Sequence, residues 1–175
     1  MDTTVNKFRW FWAWQDEAEE EWLGKMSAKG LHLIAPGFPA IYTFKVGEPK
    51  EYVYRLDYQS FHRKDREEYL QLFRDAGWEH LGQMASWQYF RKEAVKGGTN
   101  EIFTDTESKT AKYKRVLAYV GFFYIMFGVI LWSRLAAYSA YGWKDAITWL
   151  MLIMLVFFTY ALIKLGMRII KLGKR

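Results

Sequence analysis

The chain has no cysteine, so disulfides, a thiol nucleophile and thiolate metal sites are excluded, and a reducing compartment suits it. Its only histidines are His32, His62 and His80, and none has a second His or a carboxylate one helical turn away in a metal-ligating arrangement. They read as surface or strand residues, with His62 and Asp65 in a turn ahead of a helix. No serine lies in a GxSxG setting, and no glycine loop has the form of a phosphate cradle. The acids Glu17, Glu19, Glu20 and Glu21 suit a helix start, whereas a paired-carboxylate hydrolase needs acids set apart across a cleft. The sequence thus offers no catalytic constellation, and no metal or cofactor is expected. No cleavable targeting sequence is visible either, since the apolar segment Phe8–Trp14 is short and interrupted by Arg9.

Acidic residues are scarce in the second half. Residues 1–94 hold 13 Lys and Arg against 15 Asp and Glu, but residues 95–175 hold 12 against 4. A nucleic-acid binder carries its positive charge on the folded domain. Here the excess instead flanks two uncharged runs, residues 116–133 and 146–163, so a nucleic-acid partner is not expected. Eighteen helical residues reach about 27 Å, close to the hydrocarbon thickness of a bilayer. A domain this small has no core able to hide two helices apolar all round. The expected architecture is a two-span hairpin over residues 114–164. Lys109, Lys112, Lys114 and Arg115 precede the first span, and Lys164, Arg168, Lys171, Lys174 and Arg175 follow the second. The connection holds only Arg134 and Lys144 as basic groups. The positive-inside rule then predicts a multi-pass protein of the cell membrane with both termini cytoplasmic. Trp132, Tyr138, Tyr141, Trp143 and Trp149 would form an interfacial aromatic belt at the outer loop. No ionisable residue other than Tyr lies within the runs, which argues against a transport path built by this chain alone. Gly121 and Gly128 lack the GxxxG spacing of close helix packing. Residues 165–175 alternate apolar and basic side chains, as in an amphipathic tail along the inner membrane surface.

Ahead of this hairpin, residues 95–113 read as a flexible linker and residues 1–94 as a soluble domain built twice over. Residues 7–14 alternate Phe8, Trp10, Trp12 and Trp14 with Arg9, Phe11 and Ala13, a strand signature that would bury the Trp stripe. Asp16 and Glu19 have capping-box spacing, and a helix burying Trp22, Leu23 and Met26 ends at Gly30. Strands LHLIA and IYTFKV follow. YVYRLDYQ then opens a second copy, in which Asp65 and Glu68 repeat the capping spacing. Tyr69, Leu70, Phe73 and Gly77 repeat Trp22, Leu23, Met26 and Gly30 at a constant offset of 47. The strands WEHLGQM and WQYFRK close it. The predicted class is α+β: two βαββ repeats, about 7–46 and 51–93, forming an antiparallel sheet with two helices on one face.

The blocks FRWFWAWQDEAEEEWLGKMSAKGLHL, GFPAIYTF, YVYRLDYQ, EEYLQLFRDAGWEHLG and WQYFRK, in that order, resemble the bacterial DUF2812 family over about the first half of the chain. The resemblance implies a cytoplasmic domain followed by hydrophobic segments, often encoded beside PadR-like transcription regulators in Gram-positive bacteria. The family's molecular function is uncharacterised, so it supplies no catalytic residues. The doubled strand-helix-strand-strand order is also similar in topology to GyrI-like, drug-binding regulatory domains, and shared topology is weak ground for shared function.

One feature points toward ligands. In YVYRLDYQ, Val53, Arg55, Asp57 and Gln59 share a face opposite Tyr52, Tyr54, Leu56 and Tyr58. If the helices cover one sheet face, the other carries Arg9, Phe11, Arg55, Asp57, Trp87 and Tyr89. These residues suit either a groove for an amphiphile or peptide, with Arg55 or Asp57 fixing a charge, or a cross-strand ion pair on a solvated face. The functional expectation is a non-enzymatic, membrane-anchored sensor or regulatory adaptor. Its partners would be the lipid bilayer, a membrane or regulatory protein, and a second copy of itself. The alternative is an accessory subunit of a membrane transport complex.

Overall fold

The computed structural model describes residues 3–59, 65–95, 102, 106–136 and 146–173. It divides into two compact units, 1–105 and 106–175.

The first unit runs β1 (Thr4–Phe8), α1 (Asp16–Ser27), β2 (Leu31–Gly37), β3 (Ile41–Val46), β4 (Tyr52–Tyr58), α2 (Asp65–Asp75), β5 (Glu79–Met84) and β6 (Trp87–Glu93). The strands form two three-stranded antiparallel sheets, β1-β3-β2 and β4-β6-β5. Each repeat therefore builds the same sheet in the same order. The second strand of each is bulged, between Leu33 and Ala35 in β2 and between His80 and Gly82 in β5. The extra residues, Ile34 and Leu81, stand 47 apart. The terminal glycines behave alike, with φ of 78° at Gly30 and 81° at Gly77, which confirms both as left-handed helix stops. Edge strands β2 and β5 run beside each other, and Arg91 of β6 reaches across to donate to the Leu33 carbonyl at 3.2 Å.

Three expectations change. The antiparallel sheet is two sheets, and the helices do not share a face. Leu23 and Met26 of α1 enter a core with Leu33, Tyr42 and Phe44 of the first sheet and Tyr54, Leu56 and Tyr89 of the second. Leu70 and Phe73 of α2 pack on Phe90 and Trp78 instead. Successive strand residues point to opposite faces, so Tyr89 and Phe90 place α1 and α2 on opposite sides of the second sheet. Next, β1 ends at Phe8. Trp10, Trp12 and Trp14 lie in an irregular segment, Trp10 and Trp12 exposed and Trp14 half-buried, and form no core stripe. The chain leaves its partner strand because a turn closes there, with the Gln15 amide donating to the Trp12 carbonyl at 2.8 Å. Last, α1 has no capping box. It begins at Asp16 with no side-chain bond at its cap, because Glu19 is committed to the core.

The second unit is a pair of helices, α3 (Thr106–Ala136) and α4 (Ala146–Gly173). Both are long and apolar enough to cross a membrane. Helix α3 already begins within the stretch expected as linker, and α4 continues unbroken through most of the expected tail. The helices pack on each other through Phe127 and Phe158, stacked at 5.6 Å, and through buried Val116, Leu131, Met151, Ala161 and Leu165. Beyond the apolar runs, Arg168 donates to the Tyr113 hydroxyl at 3.1 Å. The outward faces, including Phe122, Ile125, Val129, Ile153 and Val156, are uncovered, which water would penalise and lipid does not. Ser133 and Thr159 donate to carbonyls of their own helices, so neither hydroxyl is left bare. Gly121 faces open space, so close packing at that glycine plays no part.

Two outcomes follow from these contacts. A Cβ at Gly30 would collide with the Gly47 carbonyl, whereas one at Gly77 meets only the end of Lys92 at 3.4 Å. Gly77→Ala should therefore cost about 1–2 kcal/mol of backbone strain, and Gly30→Ala clearly more, in urea melts. In the hairpin, Gly121→Ala should be neutral or mildly stabilising, while Ala161→Phe should cost about 1–3 kcal/mol by overpacking, read from unfolding in detergent.

Candidate functional site: a carboxylate between two tyrosines

Glu19, Leu23 and Met26 lie at i, i+4 and i+7, so the apolar stripe of α1 ends in a carboxylate that faces the core. Two hydroxyls meet it. Tyr42 of β3 donates to Glu19 Oε1 at 2.7 Å, and Tyr89 of β6 donates to the same oxygen at 2.5 Å. Tyr42 and Tyr89 are themselves 47 apart, the same position in each repeat. One carboxylate thus ties the two sheets together. All three residues are buried, and neighbouring Asp16 and Glu20 are buried too. Glu20 accepts from the Leu56 amide of β4 at 2.8 Å and pairs with Arg55 at 3.4 Å.

Burial raises the Glu19 pKa, and the charge of Asp16 adds to the rise; the Tyr89 and Tyr42 hydrogen bonds oppose it. Burial, followed by the charge of Glu19, raises both tyrosines, so each stays protonated as a donor. An aromatic column leads from this centre to the surface. Trp22 packs edge-on to Tyr42 at 5.0 Å, Phe11 lies 5.7 Å from Trp22, and the exposed Arg9 guanidinium sits over both rings at 5.1 and 5.2 Å.

Of the residues named from sequence, Arg9, Phe11 and Tyr89 belong to this column and centre, and Trp87 packs at the edge of the same core while meeting Tyr58 at 5.3 Å. Arg55 and Asp57 are elsewhere. Arg55 sits half-buried against Glu20, and Asp57 is buried where it accepts from Tyr69 of α2 at 2.9 Å. Asp57 is therefore covered by α2, and Arg55 is engaged by Glu20 of α1. Glu19 reads from sequence only as a helix-start and capping residue, and Tyr42 is not singled out, although the helical spacing to Leu23 marks the first and the offset of 47 from Tyr89 the second.

His32 bonds the Glu48 carbonyl at 2.8 Å and Ser27 at 3.2 Å, and His80 bonds Gln88 at 3.0 Å. Burial lowers the His80 pKa. His62 lies outside the described residues. Among the described residues no group of three or more His, Asp or Glu is placed to hold a metal ion. An open cleft of about 490 Å³ beside α2 is lined by Leu70, Arg74, Gly77, Trp78, Glu79 and His80. In the hairpin, Trp132 and Trp149 are exposed, Lys114 is exposed and Arg115 half-buried, and Lys164 leans over Tyr160 at 5.4 Å. Tyr138, Tyr141 and Trp143 lie outside the described residues.

Fold and centre together define a duplicated βαββ unit, bridged by one buried acid and joined to an apolar helical hairpin. The chain belongs to the DUF2812 family of proteins of unknown function, matching it over residues 15–125, both helices of the repeat and the first part of α3 included. No curated protein and no solved structure matches it.

Glu19→Ala should cost about 3 kcal/mol, because two buried hydroxyls lose a charged acceptor. The sign with pH is set by the raised pKa: the folded state holds this proton more tightly than the unfolded chain. The associated stability is complete below the ordinary value of 4.5 and is lost as pH rises through the raised value. Glu19→Gln removes that loss, so its unfolding free energy relative to the parent should climb with pH across this window, measured by urea titration.

Proposed function

We propose that this protein is a non-enzymatic, membrane-anchored sensor or regulatory adaptor, whose soluble unit binds a small amphiphile or a partner protein. The hairpin would serve as the anchor. The basic residues flanking its apolar runs support cytoplasmic placement of both termini, with the loop outside. Neither run carries an ionisable group other than Tyr, which leaves binding and signalling to the soluble unit.

One observation carries this reading. The carboxylate–tyrosine centre joins both repeats and leads to the surface through Trp22, Phe11 and Arg9. A ligand that engages Arg9 and the two rings would press on a bond shared by both sheets, so occupancy at one rim is felt across the unit.

The full chain in detergent should gain thermal stability, with altered Trp fluorescence, on addition of a member of one of three classes: amphiphilic cations, lipids or peptides. A hundredfold excess over Kd would give about 3 kcal/mol, and Arg9→Ala should weaken the response. Silence across all three classes would defeat the ligand reading. A stoichiometric membrane partner retained through purification would point instead to a subunit of a transport complex.

A further inference from the structure

We infer that the Trp-bearing end of the first sheet is a lipid-docking surface, which seats the soluble unit on the bilayer that the hairpin spans. This rests on the membrane placement of the hairpin and goes beyond the sensor reading.

Large apolar side chains converge at that end. Phe8 is 68 % exposed, Trp10 52 % and Phe38 81 %, with Trp12 also open to solvent. They are neighbours by construction. Phe8 stands opposite Ile41 in the β1–β3 pairing, the Arg9 amide donates to the Ala40 carbonyl at 3.1 Å, and the Ala40 amide closes the turn carrying Phe38 by bonding Gly37 at 2.9 Å. The rings are held in place: Trp10 meets Trp12 edge-on at 5.6 Å, Trp12 stacks on Trp14 at 5.6 Å, and the Trp12 amide donates to the Gln15 side chain at 3.0 Å. A fixed aromatic cluster loses little rotamer freedom on docking.

Charge selects the occupant. Segments 3–15 and 31–46, which make up the first sheet and the Trp segment, contain no acidic residue, although residues 1–94 as a whole are net acidic; Lys7 and Arg9 lie at the Trp-bearing end, and Lys45 stands opposite Thr4 at the other. The next acid, Asp16, is buried, and the exposed Glu17 follows on α1. Indole and phenyl rings beside Lys and Arg are the side chains that the headgroup and acyl boundary of an anionic bilayer favours. Attachment to a spanning hairpin raises the local concentration of that surface, so a patch too small to bind lipid unaided is sufficient.

The absence of cysteine permits single-site labelling of the full chain. An environment-sensitive fluorophore would be placed through Phe8→Cys and through Phe38→Cys, with Leu72→Cys as an exposed apolar control on α2, and Ile125→Cys and Val156→Cys as controls in the spans. Each protein goes into nanodiscs of phosphatidylcholine and phosphatidylserine containing doxyl lipid. Labels at 8 and 38 should lose about half their emission, and the label at 72 little. Trp10→Ser with Trp12→Ser should roughly halve the quenching at 38. If 8 and 38 are quenched no more than 72 while 125 and 156 are quenched, the docking surface is refuted and the membrane reading stands. Unquenched labels at 125 and 156 would remove both. Labels at 8 and 38 shielded from aqueous iodide but untouched by doxyl lipid would show a protein cover, and that also overturns the proposal.

Discussion

A single carboxylate decides how the two repeats are joined. Each repeat makes a three-stranded sheet with a tyrosine at the same place, and both tyrosines donate to Glu19. An unpaired buried carboxylate is costly, and two buried hydroxyls without acceptors are costly as well. Bringing the three together satisfies them at once, and only one helix can supply the acid. The equivalent position of the second repeat, 47 residues on, is Arg66. The symmetry of the duplication is therefore broken at its centre: α1 takes the shared core, and α2 packs on the far face with Phe90 and Trp78.

The two units rest on different physics. In the first, burial of Leu23, Leu33, Tyr42, Phe44, Tyr54 and Tyr89 supplies the drive, and the polar network selects the arrangement. In the second, most apolar surface of the described residues stays outside, and the buried apolar side chains form a seam of Tyr113, Val116 and Leu131 with Met151, Ala161 and Leu165. Lipid rewards that distribution; water does not. Packing along the seam, rather than the hydrophobic effect, holds the pair together once it is inserted.

Much of the architecture could be read from residue order. The β3 segment IYTFKV lies between a proline turn and a glycine turn, and the observed strand has the same limits. The offset of 47 predicted the duplication, and the matching bulges and tyrosines extend it to features that hydropathy does not display. The Trp segment misled because large residues alternating over 7–14 imitate a strand, whereas a strand needs a partner. The partner, β3, begins at Ile41, opposite Phe8, and beyond that pair a single bond from the Arg9 amide to the Ala40 carbonyl is all that follows before the chain turns at Trp12. Asp57 misled for a related reason. Strand alternation separates two faces without saying whether a helix covers both, and α2 covers the one assumed open. Asp16 and Glu19 fit the spacing of a cap, but spacing cannot show that two tyrosines distant in the chain compete for the same oxygen.

Helix α1 also lies along β4, where Glu20 occupies the outward-pointing amide of Leu56. Bare margins of this kind recruit foreign strands and seed aggregates. Because α1 precedes β4 in the chain, the guard leaves the ribosome before the strand it shields. An edge amide already claimed by Glu20 is one fewer open to a strand of another copy.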